Sequence, residues 1–382
     1  MGGMAGFSLY LYEDFQVEVS EGLVVSLDPS SAPNLAQWAI HAIANLQNGE
    51  HFETSRTSSF KVMEGEINPI EVDQSNLSFN YGSYLIKIKK ELDLTNRNIN
   101  IVNSLNNSNF NYMPKYYGSL SLKIYNKLVE FISIYEFVDN SLDGWTWLPK
   151  KLITKNDNWV SEVAILSSQM HRDLKKVEGD SSKDFIELTD KLVKRELPNL
   201  NQELLTGIEK FPNPVEMLEI WSSLESQYFI NLESKRQKVL NNYKTQITHG
   251  DFHIGQILKS ETNYYVIDFD GSPVLNKELR NITSPIEDDL AHLLLSFALA
   301  ARVAERINQL NYGTLNDEVI KCQHLFLNNY LENSKMFHSY SANQDLIEYL
   351  RFRQYYFEII YGLKFLPRWL YAPILSLKEE LG

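Results

Sequence analysis

His249-Gly250-Asp251-Phe252-His253-Ile254-Gly255-Gln256, followed soon after by Val266-Ile267-Asp268-Phe269-Asp270, is the stretch that decides the fold. In catalytic loops of the form H-R-D-x-x-x-x-N, the aspartate takes the proton of the attacking hydroxyl and the terminal amide holds a magnesium ion. A later Asp-Phe pair supplies a second ligand. Asp251 and Gln256 stand at that separation, and Asp268-Phe269 follows. Between them lie two short β-prone runs, Ile257-Leu258-Lys259 and Tyr264-Tyr265-Val266-Ile267, so the segment reads as a hairpin with a metal ligand at each end. Phosphoryl transfer passes through a loose transition state, so the protein mainly positions groups, neutralises phosphate charge and orients the nucleophile. One carboxylate as base, with a carboxylate and an amide oxygen on Mg²⁺ beside the phosphates of ATP, is a sufficient set. The plainer reading is a tight turn capped by Asp251 with His253 packed in a core, and it needs several spaced features to coincide by accident.

Composition sets bounds around this reading. A chain of 382 residues exceeds one ordinary core and suggests two or three lobes. Its 43% hydrophobic and 22% charged residues are those of a globular protein. The formal net charge of −13 argues against a nucleic-acid partner, yet ATP needs only a local positive patch. The single cysteine, Cys322, lies in an apparent helix, so neither a disulfide framework nor a thiolate metal site is expected, and the cytoplasm is the natural compartment. The N-terminus lacks the pattern of a signal peptide. The longest apolar run, Leu290 to Ala304, falls short of a membrane span and reads as a buried helix.

Residues up to about 140 are strand-like, with Gly22 to Leu27, Tyr84 to Ile88, Leu120 to Tyr125 and Val129 to Tyr135 interrupted by one helix from about Asn34 to Leu46. After Trp145 the pattern turns helical, near 158–175, 183–195, 214–235, 286–306, 317–333 and 343–366. The Asn-rich connectors Asn103 to Asn111 and Asn156 to Asn158 read as polar loops. The expectation is an α+β fold of the bilobal protein-kinase-like kind, with a β-rich N-terminal lobe and a mostly α-helical C-terminal lobe. Residues 1–70 form a cap-like extension, 71–138 the nucleotide-binding lobe with Glu136 and Val138 at the hinge, and 139–382 the lobe carrying the catalytic loop and acceptor site.

No glycine-rich phosphate loop is present. Before the candidate lysine strand stands Asp73-Gln74-Ser75-Asn76-Leu77-Ser78, whose small hydroxyl and amide side chains, with free backbone N–H groups, can cradle phosphate oxygens or simply make a turn. Lys87 alternates with Ile86 and Ile88 in the strand that follows, where a kinase lysine reaches the phosphates. Lys89 shares its face, and Lys87 is the preferred of the two.

The segments Gln74 to Ser78, Leu85-Ile86-Lys87, Asp143-Gly144-Trp145, His249 to Gln256, Ile267 to Gly271 and Pro367-Arg368-Trp369 together resemble the ordered motifs of bacterial and archaeal maltokinases, from about residue 70 to 375. That family belongs to the superfamily of aminoglycoside phosphotransferases and protein-kinase-like enzymes. The resemblance implies ATP-dependent phosphorylation of maltose at its anomeric hydroxyl to give maltose 1-phosphate. It places Gln74, Ser75, Asn76, Ser78 and Lys87 at the ATP phosphates, Asp251 as base, Gln256 and Asp268 on Mg²⁺, and Asp289 as a brace for the catalytic loop. His253, Asp270, Tyr361 and Trp369, with Trp145 beside them, are candidates for the sugar, and Arg280 for the sugar or a surface ion pair. The alternatives are a glucosamine kinase, an aminoglycoside- or choline-type kinase, and a nucleotide-binding regulator without turnover. The chain departs from the family in four places, one of them the region before residue 70, which is shorter than in long members. Asn96-Arg97-Asn98-Ile99-Asn100 stands where the family carries Asn-Pro-Glu and the lysine's acidic partner, for which Glu91 or Asp93 would substitute. Asp270-Gly271-Ser272 replaces a more acidic run, and Gly362 takes a position that is acidic elsewhere.

Overall fold

The computed structural model describes residues 7–12, 15–20, 23–28, 30–62, 65–70, 76–181, 184–193, 214–239, 243–337 and 343–382. The chain divides into two compact units, Met1–Ser141 and Leu142–Gly382.

The first unit is built on a six-stranded antiparallel sheet in the order β4-β8-β9-β7-β6-β5. Its strands are β4 (Phe52–Arg56), β5 (Ile67–Ile70), β6 (Asn76–Tyr81), β7 (Tyr84–Lys89), β8 (Tyr116–Ile124) and β9 (Lys127–Glu136). Alternation gives the sheet one apolar face. Ile86, Ile88, Leu120, Leu122, Ile132 and Ile134 are buried there in one core with Leu35, Ala36, Ile40 and Ile43 of helix α1 (Ala32–Ala44). Strands β1 (Phe7–Tyr12), β2 (Phe15–Val19) and β3 (Val25–Ser26) form a small antiparallel sheet. It is stitched to the end of β7 by Val25 N–H to Lys90 O (2.7 Å) and Leu92 N–H to Leu23 O (2.9 Å). Leu11, Val17, Val25, Leu35 and Phe52, from the described part of residues 1–70, belong to the same core as the sheet. The structure corrects the reading of the Asn-rich connector. Helix α2 (Arg97–Asn107) includes its first half, because Ile101, Val102 and Leu105 recur at helical spacing and bury one side.

The second unit is mainly helical: α3 (Gly144–Ile153), α4 (Val160–Leu174), α5 (Pro214–Lys238), α6 (Ile286–Ile307), α7 (Asn316–Phe337), α8 (Gln344–Lys364) and α9 (Tyr371–Leu381). The hairpin expected after the catalytic loop is present as β10 (Ile257–Lys259) paired with β11 (Tyr264–Val266). Helix α6 is buried on most of its circumference, which explains its long apolar run, and its Arg302 is paired with Glu305 at 3.1 Å. Among the described residues no helix is long and apolar enough to cross a membrane.

Candidate active site

The loop from His249 to Gln256, the candidate catalytic loop, is held by Asp289, in the first turn of α6. Its carboxylate accepts the backbone N–H groups of His249 (2.7 Å) and Gly250 (2.8 Å), and a hydrogen bond from His171 Nε2 of α4 (3.0 Å). The Tyr330 hydroxyl donates to His171 Nδ1 at 2.8 Å, which leaves the imidazole proton on Nε2, facing Asp289. Burial pushes the Asp289 carboxyl up, but the His171 contact and the Gly250 N–H outweigh it and hold the group below its ordinary value. Ser296 of α6 takes the Ile254 N–H at 2.9 Å, so one helix fixes both ends of the loop.

The Asp-Phe segment returns onto this loop. Ile267 N–H bonds Gln256 O (3.0 Å), His249 Nε2 donates to Ile267 O (3.0 Å), and Ser272 N–H bonds Gly250 O (3.0 Å). Phe269 packs on the His249 ring with centroids 5.0 Å apart. Asp268 adopts a left-handed backbone (φ 65°), unusual for a residue with a Cβ, and Gly271 follows at φ 78°. Asp270 lies in the same turn and is half-buried. Gln256 and Asp268 thus flank one short hairpin and offer an amide and a carboxylate oxygen, the hard donors that Mg²⁺ takes. Among the described residues no group of three or more His, Cys, Asp or Glu side chains could hold a metal ion, so phosphate oxygens and water would have to complete a Mg²⁺ shell here.

Around Asp251 is a cluster the sequence only partly announces. His292 Nδ1 lies 3.7 Å from Asp251 Oδ1, and His292 Nε2 is 2.8 Å from Glu358 Oε1. The other Glu358 oxygen accepts Trp369 Nε1 at 3.1 Å. Burial is the largest influence on Asp251 and, with the charges of Glu358 and Asp268, drives it up to about 7 against the pull of His292. Burial opposes charge on His292 too, yet the Glu358 hydrogen bond and the charges of Glu358 and Asp251 raise it. Glu358 is held below its ordinary value despite burial, chiefly by His292. His253 behaves differently: burial and the neighbouring His292 press it down to about 3, and its Nδ1 accepts the Gly255 N–H (3.0 Å). It is a neutral imidazole carrying its proton on Nε2, 3.8 Å from Asp251.

An aromatic wall completes the site. Trp145 stacks on His253 (5.4 Å, 29°) and meets Trp369 edge-on at 4.7 Å. The Asp143-Gly144-Trp145 motif now has a physical reason. Asp143 caps α3 by accepting the Thr146 N–H (2.9 Å), and a side chain at Gly144 would collide with the Ile254 carbonyl of the catalytic loop. Likewise a side chain at Gly255 would strike the Trp145 ring. Tyr361, one turn beyond Glu358, is half-buried, its phenol raised by burial and then by the charge of Asp251. Arg280 donates Nε to Leu275 O at 2.8 Å. At Gly362 a Cβ would come within 2.8 Å of the Leu370 side chain, which would have to shift for an acid there, and Glu358 supplies a carboxylate one turn earlier on the same helix.

In the first unit, Asn76 and Ser78 of β6 sit opposite Lys89 and Lys87 of β7, and Lys87 is also paired with Ser133 of β9. Lys89, rather than Lys87, is the buried one of the two, and it makes an ion pair with Glu130 at 2.9 Å. Asp93, expected as a substitute acid, spends its carboxylate on Thr95 and the Arg97 N–H. Glu91 is exposed. Glu136 ends β9, with its N–H on Lys115 O (2.8 Å), and the Val138 carbonyl accepts Ser141 Oγ (2.8 Å). Gln74 and Ser75 lie outside the described residues.

The geometry has clear counterparts among known proteins. A glucosamine kinase of Streptacidiphilus jiangxiensis is 25% identical over 329 residues, which are 82% of this chain and 73% of that protein. A glucosamine kinase of Mycolicibacterium smegmatis is 35% identical over 134 residues, about a third of either chain. A glucosamine kinase solved with glucosamine, ADP and inorganic phosphate superposes with a TM-score of 0.72 at 22% identity, covering 98% of this chain and 93% of that one. Another crystal form of glucosamine kinase gives 0.74 at 21% identity, with coverages of 98% and 92%. The chain shares the fold of glucosamine kinases. No family model matches the sequence. The α+β, kinase-like architecture expected from the sequence is therefore the one found, whereas these relatives carry the name of the alternative sugar and not of maltose.

Proposed function

We propose that this protein is an ATP-dependent kinase acting on a hydroxyl of glucosamine. The observation that carries the acceptor is the charge balance around Asp251. Asp251, Asp268 and Glu358 stand against the imidazolium of His292 and the guanidinium of Arg280, so before a metal binds the site is net negative when the acids are ionised. A neutral disaccharide gives such a site nothing to offset its charge, whereas an ammonium does. Each Glu358 oxygen accepts one hydrogen bond, from His292 or Trp369, which leaves each a further lone pair for a donor. The sugar-kinase relatives support the same acceptor over maltose.

In this reading Asp251 accepts the acceptor's hydroxyl proton, and Asp289 keeps the loop from shifting as it does so. Trp145, Trp369, Tyr361 and neutral His253 shape the sugar pocket, with Asp270 at its edge. Gln256 and Asp268 would hold Mg²⁺, which supplies neutralisation of phosphate charge. Gln74, Ser75, Asn76, Ser78 and the lysines of β7 serve the phosphates, and Glu136 to Val138 the adenine. A cytoplasmic setting suits the single buried cysteine, Cys322. The test compares glucosamine with N-acetylglucosamine, the same ring without the charge. Glucosamine should be favoured in kcat/KM by about 100-fold or more. Equal use of the two would remove the charge argument.

A further inference from the structure

We propose that Glu130 is a positioning residue for the nucleotide: paired with Lys89 and tied to Asn98 of α2, it fixes the lysine-bearing face of β7 on which the nucleotide phosphates bind. The inference rests on the ATP-dependent reading above, but not on the identity of the acceptor.

Strand β9 should not, by simple alternation, place Glu130 there. Ile134 and Ile132 point into the apolar core, and a period of two would send Glu130 after them. The register shows what intervenes. Ile132 pairs with Leu120 and Glu130 with Ser121, so Phe131 is an extra residue, a β-bulge opposite β8. Phe131 joins the core, and Glu130 turns to the polar side shared with Ser119, Ser133 and Lys87. There its carboxylate meets Lys89 Nζ at 2.9 Å, with only 6% and 1% of the two side chains exposed.

Helix α2 is fastened to the same spot. Asn98 Nδ2 donates to both Glu130 oxygens (3.3 and 3.1 Å) and to the Tyr135 hydroxyl (3.0 Å). Asn96 Oδ1 accepts the Glu130 N–H at 2.9 Å. In protein kinases a helix glutamate holds the strand lysine. Here the helix offers an amide, Asn98, and the acid arrives from the bulged strand. Enclosing two charges costs several kcal/mol per ion before their attraction repays it, and an apolar pair would fold as well. The pair lies on the one face of the sheet that also carries Asn76, Ser78 and Lys87.

Two double variants separate positioning from stability. Lys89→Met/Glu130→Gln removes both charges, so it should fold with a melting temperature near that of the wild type. Asn98→Glu/Glu130→Gln returns the acid from the helix side. Affinity for MgADP is read by titration calorimetry, which needs no acceptor. The first variant should bind MgADP about tenfold or more weakly, and the second should recover most of the affinity. With turnover as a further reading, the first variant should raise KM for ATP and leave KM for glucosamine unchanged, a split that a merely structural pair would not produce. Affinity of the folded first variant within about twofold of the wild type would overturn the inference alone. Absence of MgADP binding by the wild-type protein would overturn the kinase reading beneath it.

Discussion

Replacing Asp251 by Asn should abolish turnover and, in the same molecule, stabilise the fold at pH 8. The side chain is 14% exposed and sits among Glu358 and Asp268, which together with burial hold its carboxyl at about 7 rather than 3.8. The folded chain therefore binds this proton more tightly than the unfolded chain. Stability falls as the pH rises between about 4 and 7, and the full penalty is present above that range. A carboxyl held at about 7 instead of 3.8 costs about 4 kcal/mol once ionised in the folded state. Loss of the attraction to His292, 3.7 Å away, offsets part of this in the variant. The assay is calorimetric melting of both proteins from pH 5 to pH 8, free of nucleotide and divalent cations. The variant should gain several degrees at pH 8 and roughly a third as much at pH 5, while kcat drops by about 100-fold or more. A gain that does not depend on pH, or a loss of stability at pH 8, would refute the assignment of the raised carboxyl to Asp251.

His292→Gln takes away the cation that favours ionised Asp251, so the acidic limb of the kcat/KM profile should move up by about one pH unit; an unmoved limb contradicts the coupling. Asp289→Ala leaves the His249 and Gly250 N–H groups buried without their acceptor, which should cost about 2–4 kcal/mol in denaturant melts and lower kcat with little change in KM for ATP. Unaltered kcat would show that the loop does not need this brace. For Asp268→Ala, ADP affinity measured with and without Mg²⁺ should show a gain on adding the ion that is about tenfold smaller than in the wild type. An undiminished gain would place the metal elsewhere.

The hairpin that follows the His249 to Gln256 segment was readable because its signals are local. Asp251, Gln256 and Asp268 belong to one loop and hairpin whose spacing is printed in the sequence, and the hairpin formed where the β-branched and aromatic residues indicated. The partners of Asp251 were not readable in that way. His292 lies on an apolar helix and Glu358 on another, and helical periodicity tells which face is buried but not which two faces meet. Glu358 had one legible signal, its place a turn before Gly362 and shortly ahead of Pro367-Arg368-Trp369. Glu130 was hidden for a different reason: an extra residue in β9 reverses the parity on which strand reading depends. The helical α2 was hidden by its asparagines, which weigh toward turns, while three well-spaced apolar side chains prevailed once the sheet gave them a surface.

The most direct measurement is ADP release by the purified protein with MgATP across glucosamine, N-acetylglucosamine, glucose and maltose, with phosphorus NMR of the product. Turnover that depends on glucosamine, yields a glucosamine phosphate ester and vanishes in Asp251→Asn is the expected result. Turnover that prefers maltose and yields an anomeric phosphate, or that persists in Asp251→Asn, would contradict the account.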